Sequence, residues 1–242
     1  MAKGSYLYKN INRFMGRAIH RYGMIEDGDR ILVAVSGGMD SQTLCWFLHE
    51  RRRRIPIDYS IRTVYVDPGF PGGFGPDLQA YCTRQGYDLR IEHTTHGPLA
   101  HSKANRENPC FLCARHRRRR LFEVADELGC NKIALGHNKD DIIETLFLNI
   151  CYAGEIAAMH PNQSFFNGRF RIIRPLARVD QDDIRRFGSQ KAFPRFENPC
   201  PSAGRTKRAE IKTMLNGLYR SNRKIKGNIF RAMQHVNTQY LL

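Results

Sequence analysis

Two groups of residues in this chain have the types and spacing that chemistry requires: a glycine turn flanked by serines, and three cysteines. The turn reads Ser-Gly-Gly-Met-Asp-Ser and directly follows the apolar residues 33–35. Adjacent glycines permit a tight turn and a close backbone approach to a ligand. A helix that starts after the turn presents free N–H groups to an anion. The pattern therefore predicts a phosphate or pyrophosphate site. Its candidate residues are Ser36, Gly37, Gly38, Asp40 and Ser41.

The turn differs from a Walker loop, which needs Gly, four residues and then Gly-Lys-Ser/Thr, because it contains no lysine. A tight strand–helix turn that binds nothing is the alternative. The apolar strand before the turn and the serines at both ends favour phosphate binding.

The second group is Cys110-Phe-Leu-Cys113, at the start of a predicted helix, together with Cys200 in an Asn-Pro-Cys loop. A Cys-x-x-Cys pair can be a redox pair, half of a metal site or a structural accident. Structural zinc takes four protein ligands, and Ser202 stands where a fourth cysteine would complete a second pair. Three thiolates suit a [4Fe–4S] cluster with one iron open to another ligand. The spacing favours the cluster, and a redox pair is the alternative.

The other four cysteines lie singly in apolar stretches, where a thiol packs as a small hydrophobic group. They are Cys45, Cys82, Cys130 and Cys151. We expect no disulfide framework in a chain that has the features of a cytosolic protein.

Carboxylates follow a further predicted strand, at Asp140, Asp141 and Glu144. Acidic side chains at this position stabilise a helix N-terminus, and a purely structural role of this kind is the alternative to a chemical one. A triphosphate also needs Mg²⁺, which binds a few carboxylates and the phosphate oxygens. We therefore predict a metal-binding or catalytic role for Asp140 and Asp141, and a nucleotide contact for Gly136 and His137.

The charge balance indicates a polyanionic partner. The chain has 39 Lys and Arg against 23 Asp and Glu, a net charge of +16 in 242 residues. RNA accounts for so broad a positive field better than ATP does, and a basic face that only confers solubility is the alternative. There is no long apolar run and no signal-peptide pattern, so we expect a soluble, cytoplasmic protein.

The elements that must position these residues alternate along the chain. The predicted helices cover 5–22, 40–53, 77–85, 110–128, 140–152, 181–188, 207–219 and 223–235, and the predicted strands cover 31–35, 59–66, 89–93, 132–135 and 171–173. Residues 67–76 are predicted to form a Gly/Pro loop, residues 94–109 a mobile polar loop, and Gly168 a hairpin turn.

Alternating strands and helices predict an α/β fold with a doubly wound parallel sheet, an N-terminal helix and basic C-terminal helices. Ligands bind beyond the carboxyl ends of such strands. The turn at Ser36, the strand-end residue Asp67 and the segment 136–141 should therefore converge on one crevice, with Asp67 as a further nucleotide contact. We expect one domain over residues 1–242, with helical extensions at 1–24 and 189–242.

The turn resembles the PP-loop of the ATP pyrophosphatases, which have the adenine nucleotide alpha hydrolase-like fold. Further motifs make the resemblance specific to the TtcA family of tRNA 2-thiocytidine synthetases. These motifs are Cys110-Phe-Leu-Cys-Ala-Arg-His-Arg-Arg118, Ala134-Leu-Gly-His-Asn-Lys-Asp-Asp-Ile-Ile-Glu-Thr-Leu-Phe-Leu-Asn149, Ile173-Arg-Pro-Leu176, Lys191-Ala-Phe-Pro194, Cys200 and Arg208-Ala-Glu-Ile-Lys212. Family members carry a second cysteine two residues after the third ligand, where this chain has Ser202.

The resemblance implies ATP, Mg²⁺ and a [4Fe–4S] cluster on the three cysteines as cofactors, and tRNA cytidine 32 as substrate. Asp40, Asp140, Asp141 and Arg115 are the implied catalytic residues, and Arg115 or Arg118 would neutralise phosphoryl charge or dock RNA. The implied RNA-binding residues are Arg117, Arg118, Arg119 and Arg120.

The resemblance also implies a cysteine desulfurase or another sulfur donor as a partner, and the basic composition is compatible with a homodimer. Two alternatives remain at this point. One is a PP-loop enzyme that adenylates another base or carbonyl, and the other is a non-catalytic RNA-binding protein with a metal clip.

Overall fold

The computed structural model describes residues 5–204 and 206–240. The strands in this part of the chain are β1 (Asp29–Ala34), β2 (Tyr59–Asp67), β3 (Leu89–His93), β4 (Lys132–Ala134), β5 (Asn162–Phe165) and β6 (Phe170–Ile173). The helices are α1 (Tyr6–Arg21), α2 (Met39–Arg52), α3 (Gly75–Gln85), α4 (His96–Ala100), α5 (Pro109–Glu127), α6 (Lys139–Leu148), α7 (Gln181–Gln190), α8 (Lys207–Ser221) and α9 (Ile225–Ala232). A π-helical turn spans Asn149–Ala153, and a 3-10 turn spans Thr238–Tyr240.

Within the described residues the strands form one six-stranded sheet of order β3-β2-β1-β4-β6-β5. All pairs are parallel except β5 with β6. On β1, Val33 stands opposite Thr63 of β2 and Ala134 of β4. The carboxyl ends of these three strands therefore lie side by side, which confirms the predicted α/β class and places the loops that follow them at one edge.

Alternate residues of β1 enter cores on opposite faces of the sheet, because successive side chains of a strand point to opposite faces. Ile31 and Val33 belong to a core that includes side chains of α1, α2, α3 and α7. Leu32 belongs to a second core, formed largely with α5. Helices thus cover both faces, as a doubly wound sheet requires.

The chain divides into two compact units. The first contains the described residues up to Asn138 together with His160–Ala203, and it includes the whole sheet. The second contains Lys139–Met159 and the described residues from Gly204 onward, with α8 and α9 packed on α6.

Two elements of the first unit were not predicted, β5 and α4. Strand β5 was missed, because Asn162-Gln-Ser-Phe165 lacks the alternation of apolar and polar residues that marks a strand. The segment 94–109 contains the short helix α4, held where the Gly97 N–H donates to the Pro68 carbonyl oxygen at 2.8 Å.

The prediction that Cys151 is a core residue was wrong, since its side chain is exposed. It lies in the π-helical turn that follows α6 and ends at Gly154, where φ is +68°. No helix of the described residues is long and apolar enough to span a bilayer.

Candidate functional site

The turn between β1 and α2 is organised around the hydroxyl of Ser41. This hydroxyl accepts a hydrogen bond from the Ser36 N–H at 3.0 Å and donates to the Gly38 carbonyl oxygen at 2.8 Å. Gly37 has a φ of +78°, a conformation that glycine adopts without strain. Gly38 precedes α2, and no side chain caps the helix there. The turn is thus braced from inside, and the helix N-terminus is free of side-chain caps, as an anion site requires.

The loop after β4 packs directly against this turn. A Cβ on Gly136 would lie 2.9 Å from the Ser41 backbone nitrogen and 3.0 Å from the Asp40 carbonyl carbon, so only glycine fits. Asn138 is fully buried and its side-chain amide donates to the Asp40 carboxylate at 3.1 Å. The structure therefore brings Gly136 and the Ser36–Ser41 turn together, as predicted from their strand ends.

His137 and Asp67 also lie at strand ends. The Arg174 guanidinium donates to Nδ1 of His137 at 3.3 Å, and burial, helped by the positive charge of Arg118, lowers the pKa of Arg174 to about 10. The Asp67 carboxylate accepts from the Gly69 N–H at 2.9 Å and lies 3.6 Å from Nδ1 of His93. Asp67 therefore stabilises its own loop, and its contact with nucleotide stays a prediction.

The acidic residues of α6 are paired within the second unit. Asp140 lies 2.6 Å from Nζ of Lys226, and Asp141 lies 3.8 Å from the Arg208 guanidinium. Glu144, which is buried, accepts from Arg208 at 3.2 Å and lies 3.5 Å from Lys212. Burial raises the pKa of Glu144, although both cations oppose this shift.

These pairs assign a packing role to Arg208 and Lys212, since they connect α8 to α6. The roles of Asp140 and Asp141 in metal binding or catalysis stay predictions.

A buried glutamine joins the Ser36–Ser41 turn to the segment that leads to Cys200. The Gln42 amide nitrogen donates to the Gly37 carbonyl oxygen at 2.7 Å and to the Pro194 carbonyl oxygen at 3.0 Å. Two residues on, Phe196 stacks on Phe74 with a ring-centroid distance of 5.0 Å, and both rings lie against Gly37. The turn and the 194–196 segment are thus parts of one packed structure.

The cysteines fall into two environments. Burial raises the pKa of Cys45 to about 12 and that of Cys82 to about 11, and also raises the pKa of Cys130. These three thiols are buried, which confirms that they pack as core residues.

Cys110, Cys113 and Cys200 are exposed or half-buried. Cys110 lies in the first turn of α5, where the Asn108 side chain accepts from its N–H at 3.0 Å. Burial raises the pKa of Cys113, and the nearby thiols of Cys200 and Cys110 raise it further while Arg117 opposes them. The three cysteines predicted to act together are therefore neighbours in the fold.

A serine and a histidine lie beside these cysteines. Ser202 Oγ lies 3.5 Å from Cys200 Sγ and 3.8 Å from Cys110 Sγ. Nε2 of His101 lies 2.6 Å from Ser202 Oγ and 4.0 Å from Cys200 Sγ. Sequence reasoning missed His101, since it lies in a polar segment that carries no recognisable motif.

The donor set fits a multinuclear cluster better than a single ion. Among residues 5–204 and 206–240, no three His, Cys, Asp or Glu side chains are close enough to hold one metal ion. A [4Fe–4S] cluster makes a different demand, because its thiolates bind different iron atoms and stand further apart. Three exposed or half-buried thiols from two segments, two of them beside Ser202, meet that demand.

The arginines of α5 have unequal surroundings. Arg115 pairs with Glu107 at 2.8 Å, and Arg119 pairs with Glu123 at 2.9 Å. Arg120 contacts Glu92, Glu123 and Glu127 at 2.6–3.0 Å. Arg117 and Arg118 are exposed, and neither is within ion-pair distance of a described carboxylate. If this helix binds RNA, Arg117 and Arg118 are its most available cations.

Sequence reasoning also missed Gln42, Asn138 and Arg174 as individual site residues. Asn138 lies inside the recognised segment 136–141, and Arg174 inside Ile173-Arg-Pro-Leu176. Gln42 gave no signal, because a glutamine on a predicted helix is usually exposed.

Comparison with known proteins agrees with this geometry. Residues 7–218 match the ATP_bind_3 family model, described as a PP-loop domain. The tRNA-cytidine(32) 2-sulfurtransferase of Geobacter sulfurreducens is 40% identical over 238 residues, covering 97% of this chain and 93% of the relative. The enzyme of the same name from Chromobacterium violaceum is 40% identical over 247 residues, covering 99% of this chain and 76% of the relative.

Two solved structures share the fold. The U34-tRNA thiolase NcsA from Methanococcus maripaludis, solved with its [4Fe-4S] cluster, has a TM-score of 0.79 at 22% identity, covering 95% of this chain and 78% of that one. The NH3-dependent NAD synthetase from Campylobacter jejuni has a TM-score of 0.52 at 14% identity, covering 96% and 95%.

The identity to the curated relatives spans nearly the whole chain, which confirms the resemblance stated from the motifs. The chain belongs to the PP-loop family and, within it, to the family of the tRNA-cytidine(32) 2-sulfurtransferases.

Proposed function

We propose that this chain is an ATP-dependent tRNA sulfurtransferase that replaces the C2 oxygen of a cytidine, cytidine 32, with sulfur. Relatives that are 40% identical over nearly its whole length carry this activity in their name. The proposed cofactors are ATP, Mg²⁺ and a [4Fe–4S] cluster.

The proposed first step is adenylation. The turn Ser36–Ser41 holds the pyrophosphate part of ATP on the N-terminus of α2, where the N–H groups stabilise negative charge. The C2 oxygen of cytidine attacks the α-phosphorus, and pyrophosphate leaves. Asp40 is the proposed contributor to binding the magnesium that neutralises the phosphates, and the hydrogen bond from Asn138 to its carboxylate at the start of α2 supports this role. Arg115, one turn along α5 from Cys110, is the proposed cation for phosphoryl charge.

The second step exchanges oxygen for sulfur. Adenylation converts the C2 oxygen into part of AMP, a good leaving group. Cys110, Cys113 and Cys200 would hold the cluster, which when bound supplies the sulfur nucleophile that displaces AMP from C2. The three accessible thiols fit this role, and the buried Cys45, Cys82 and Cys130 do not.

One observation supports the proposal that both steps occur in one enzyme. Gln42 hydrogen-bonds both to the phosphate-binding turn and to the segment leading to Cys200. An ATP-dependent enzyme that adenylates other carbonyls has no use for three neighbouring thiols, one of which follows a segment hydrogen-bonded to the nucleotide turn. A metal-clipped RNA-binding protein has no use for the turn.

The proposal includes two partners. The first is a cysteine desulfurase or another sulfur donor, since sulfur is consumed at each turnover. The second is another copy of the chain in a homodimer, which its basic composition permits.

The test is anaerobic purification followed by iron, sulfide and visible-spectrum analysis, together with nucleoside analysis of tRNA from a deletion strain. Cys110→Ala, Cys113→Ala and Cys200→Ala should each abolish the cluster and 2-thiocytidine but keep ATP binding. The matched control is Cys151→Ala, which removes an exposed thiol of the second unit. Undiminished iron and brown colour after all three changes together would refute the cluster assignment.

A further inference from the structure

Phe111 presents an aromatic ring to solvent in the first turn of α5, between Cys110 and Cys113. The residue is 62% exposed, whereas Leu112, which follows it, is buried. The ring therefore lies away from the side of α5 that packs on the core. A single exposed ring is common on protein surfaces and carries no meaning alone. The residues that share its side of the helix give this one a context.

Phe111, Arg115 and Arg118 lie on one face of α5. Their spacing of i, i+4 and i+7 places side chains on the same side of a helix, and all three residues are exposed. The Arg115 guanidinium lies 5.7 Å from the centre of the Phe111 ring and pairs with Glu107 at 2.8 Å. An accessible ring beside arginines is the combination that binds unpaired RNA, because the ring stacks on a base and the cations bind phosphate.

This face of α5 is next to both parts of the candidate site. At one end, Phe111 follows Cys110, which is one of the three neighbouring thiols. Two turns further along, Arg118 adds to the effect of burial in lowering the pKa of Arg174, and Arg174 donates to Nδ1 of His137 in the loop after β4. An RNA strand that follows this face therefore passes close to the thiols and to the nucleotide loop.

We propose that Phe111 stacks on an unpaired tRNA base that neighbours the reacting cytidine, while Arg118 binds the adjoining phosphate. The inference rests on the proposed function and adds a positioning residue for its tRNA. The stacked base is a neighbour and not the cytidine itself. Phe111 lies about 100° around α5 from Cys110 and about 160° from Cys113, so its ring does not share the side on which the thiols meet. Holding the neighbouring base fixes the loop while the cytidine reaches the thiols.

The test measures binding of the anaerobically purified holoprotein to an anticodon stem-loop RNA, and to the same RNA with one unpaired nucleotide at a time made abasic. Phe111→Ala should raise the Kd for the intact RNA about tenfold, because stacking on one base is lost, and Phe111→Trp should restore it. One abasic position should weaken binding to the wild type but not to Phe111→Ala, since the same contact cannot be lost twice. Tyr6→Ala, which removes an exposed ring of α1, is the control and should bind as the wild type does. The iron content and the Kd for ATP of Phe111→Ala should stay as in the wild type.

A wild-type Kd in Phe111→Ala would overturn the inference, and so would a weakened Kd that no abasic position reproduces. Either result leaves the proposed function intact if the wild type still forms 2-thiocytidine, and a wild type that forms none refutes that function instead. If Phe111→Ala fails to hold iron, ultraviolet cross-linking of the wild-type holoprotein to the RNA, with 5-iodouridine beside the cytidine, decides the question. A cross-link at Phe111 supports the inference, and cross-links only at other residues overturn it.

Discussion

The side-chain amide of Gln42 donates a hydrogen bond to the carbonyl oxygen of Pro194, 3.0 Å away and 152 positions along the chain. The same nitrogen also bonds the Gly37 carbonyl oxygen. One buried amide therefore connects the candidate nucleotide turn with the segment that carries Cys200, and its removal should affect both.

Gln42→Leu should lower the free energy of unfolding by about 1–3 kcal/mol, because it leaves two carbonyl oxygens without their donor. Urea unfolding followed by circular dichroism measures this change. Gln85→Leu is the control, since Gln85 is exposed at the end of α3. Equal stability of the two variants would show that the Gln42 bridge contributes nothing.

Gly136→Ala should destabilise the first unit and weaken ATP binding. The new methyl group would collide with backbone atoms of Asp40 and Ser41 at 2.9–3.0 Å, and backbone cannot move aside as a flexible side chain can. Thermal unfolding and ATP titration measure the two effects. Gly217→Ala, within α8 and with no atom within 4 Å of its added Cβ, should instead stabilise by about 0.5–1 kcal/mol. The prediction fails if both alanines are tolerated alike.

Ser41→Ala should raise the Kd for ATP about tenfold, which corresponds to about 1.4 kcal/mol. The hydroxyl that braces the turn at Ser36 and Gly38 is then missing, so the N–H groups of the turn lose their fixed orientation. Isothermal titration measures the affinity, with Ser189→Ala, an exposed serine of α7, as control. The iron content of Ser41→Ala should stay as in the wild type. An unchanged Kd for ATP would contradict the phosphate-binding role.

Stability should fall as the pH drops from about 6.5 to about 4, with His49 as one cause. Burial, assisted by the positive charges of Arg52 and Arg53, lowers the pKa of His49 from 6.5 to about 4. Between these values the unfolded chain binds the proton and the folded chain does not, so the free energy of unfolding decreases with acidity.

His49→Phe keeps a ring for stacking on Tyr87, whose centroid is 4.4 Å away, and should flatten this pH dependence. Urea unfolding at pH values between 4 and 7 measures it. His20→Phe, at an exposed position, should keep the wild-type slope. A His49→Phe profile parallel to the wild type would exclude the assignment.

Arg117→Ala with Arg118→Ala should weaken tRNA binding and reduce its dependence on salt. Each phosphate contact that is lost removes about 1 from the slope of log K against log salt. Filter binding at several salt concentrations measures the slope. The control is Arg62→Ala, at an exposed arginine paired with Asp88 at 3.1 Å. A slope unchanged in the double variant would place the RNA elsewhere.

Much of the site could be predicted from local sequence. The turn at Ser36–Ser41, the glycine at position 136 and the pair Cys110 and Cys113 are short-range patterns, because glycine turns and helix starts depend on neighbouring residues. Strand β5 and the exposed Cys151 could not be predicted in this way. The first depends on pairing with β6, and the second on a π-helical turn within a sequence that looks helical.

The sequence by itself determined the fold class, the nucleotide turn, the three cysteines and the family, since each rests on residue types at fixed local spacing. Only the tertiary structure decided which residues from distant segments serve that turn and those cysteines. Gln42 reaches Pro194, Asn138 reaches Asp40, and His101 reaches Ser202 across 101 positions. Such partners depend on how strands and loops pack, and packing brings together side chains whose separation along the chain carries no signal.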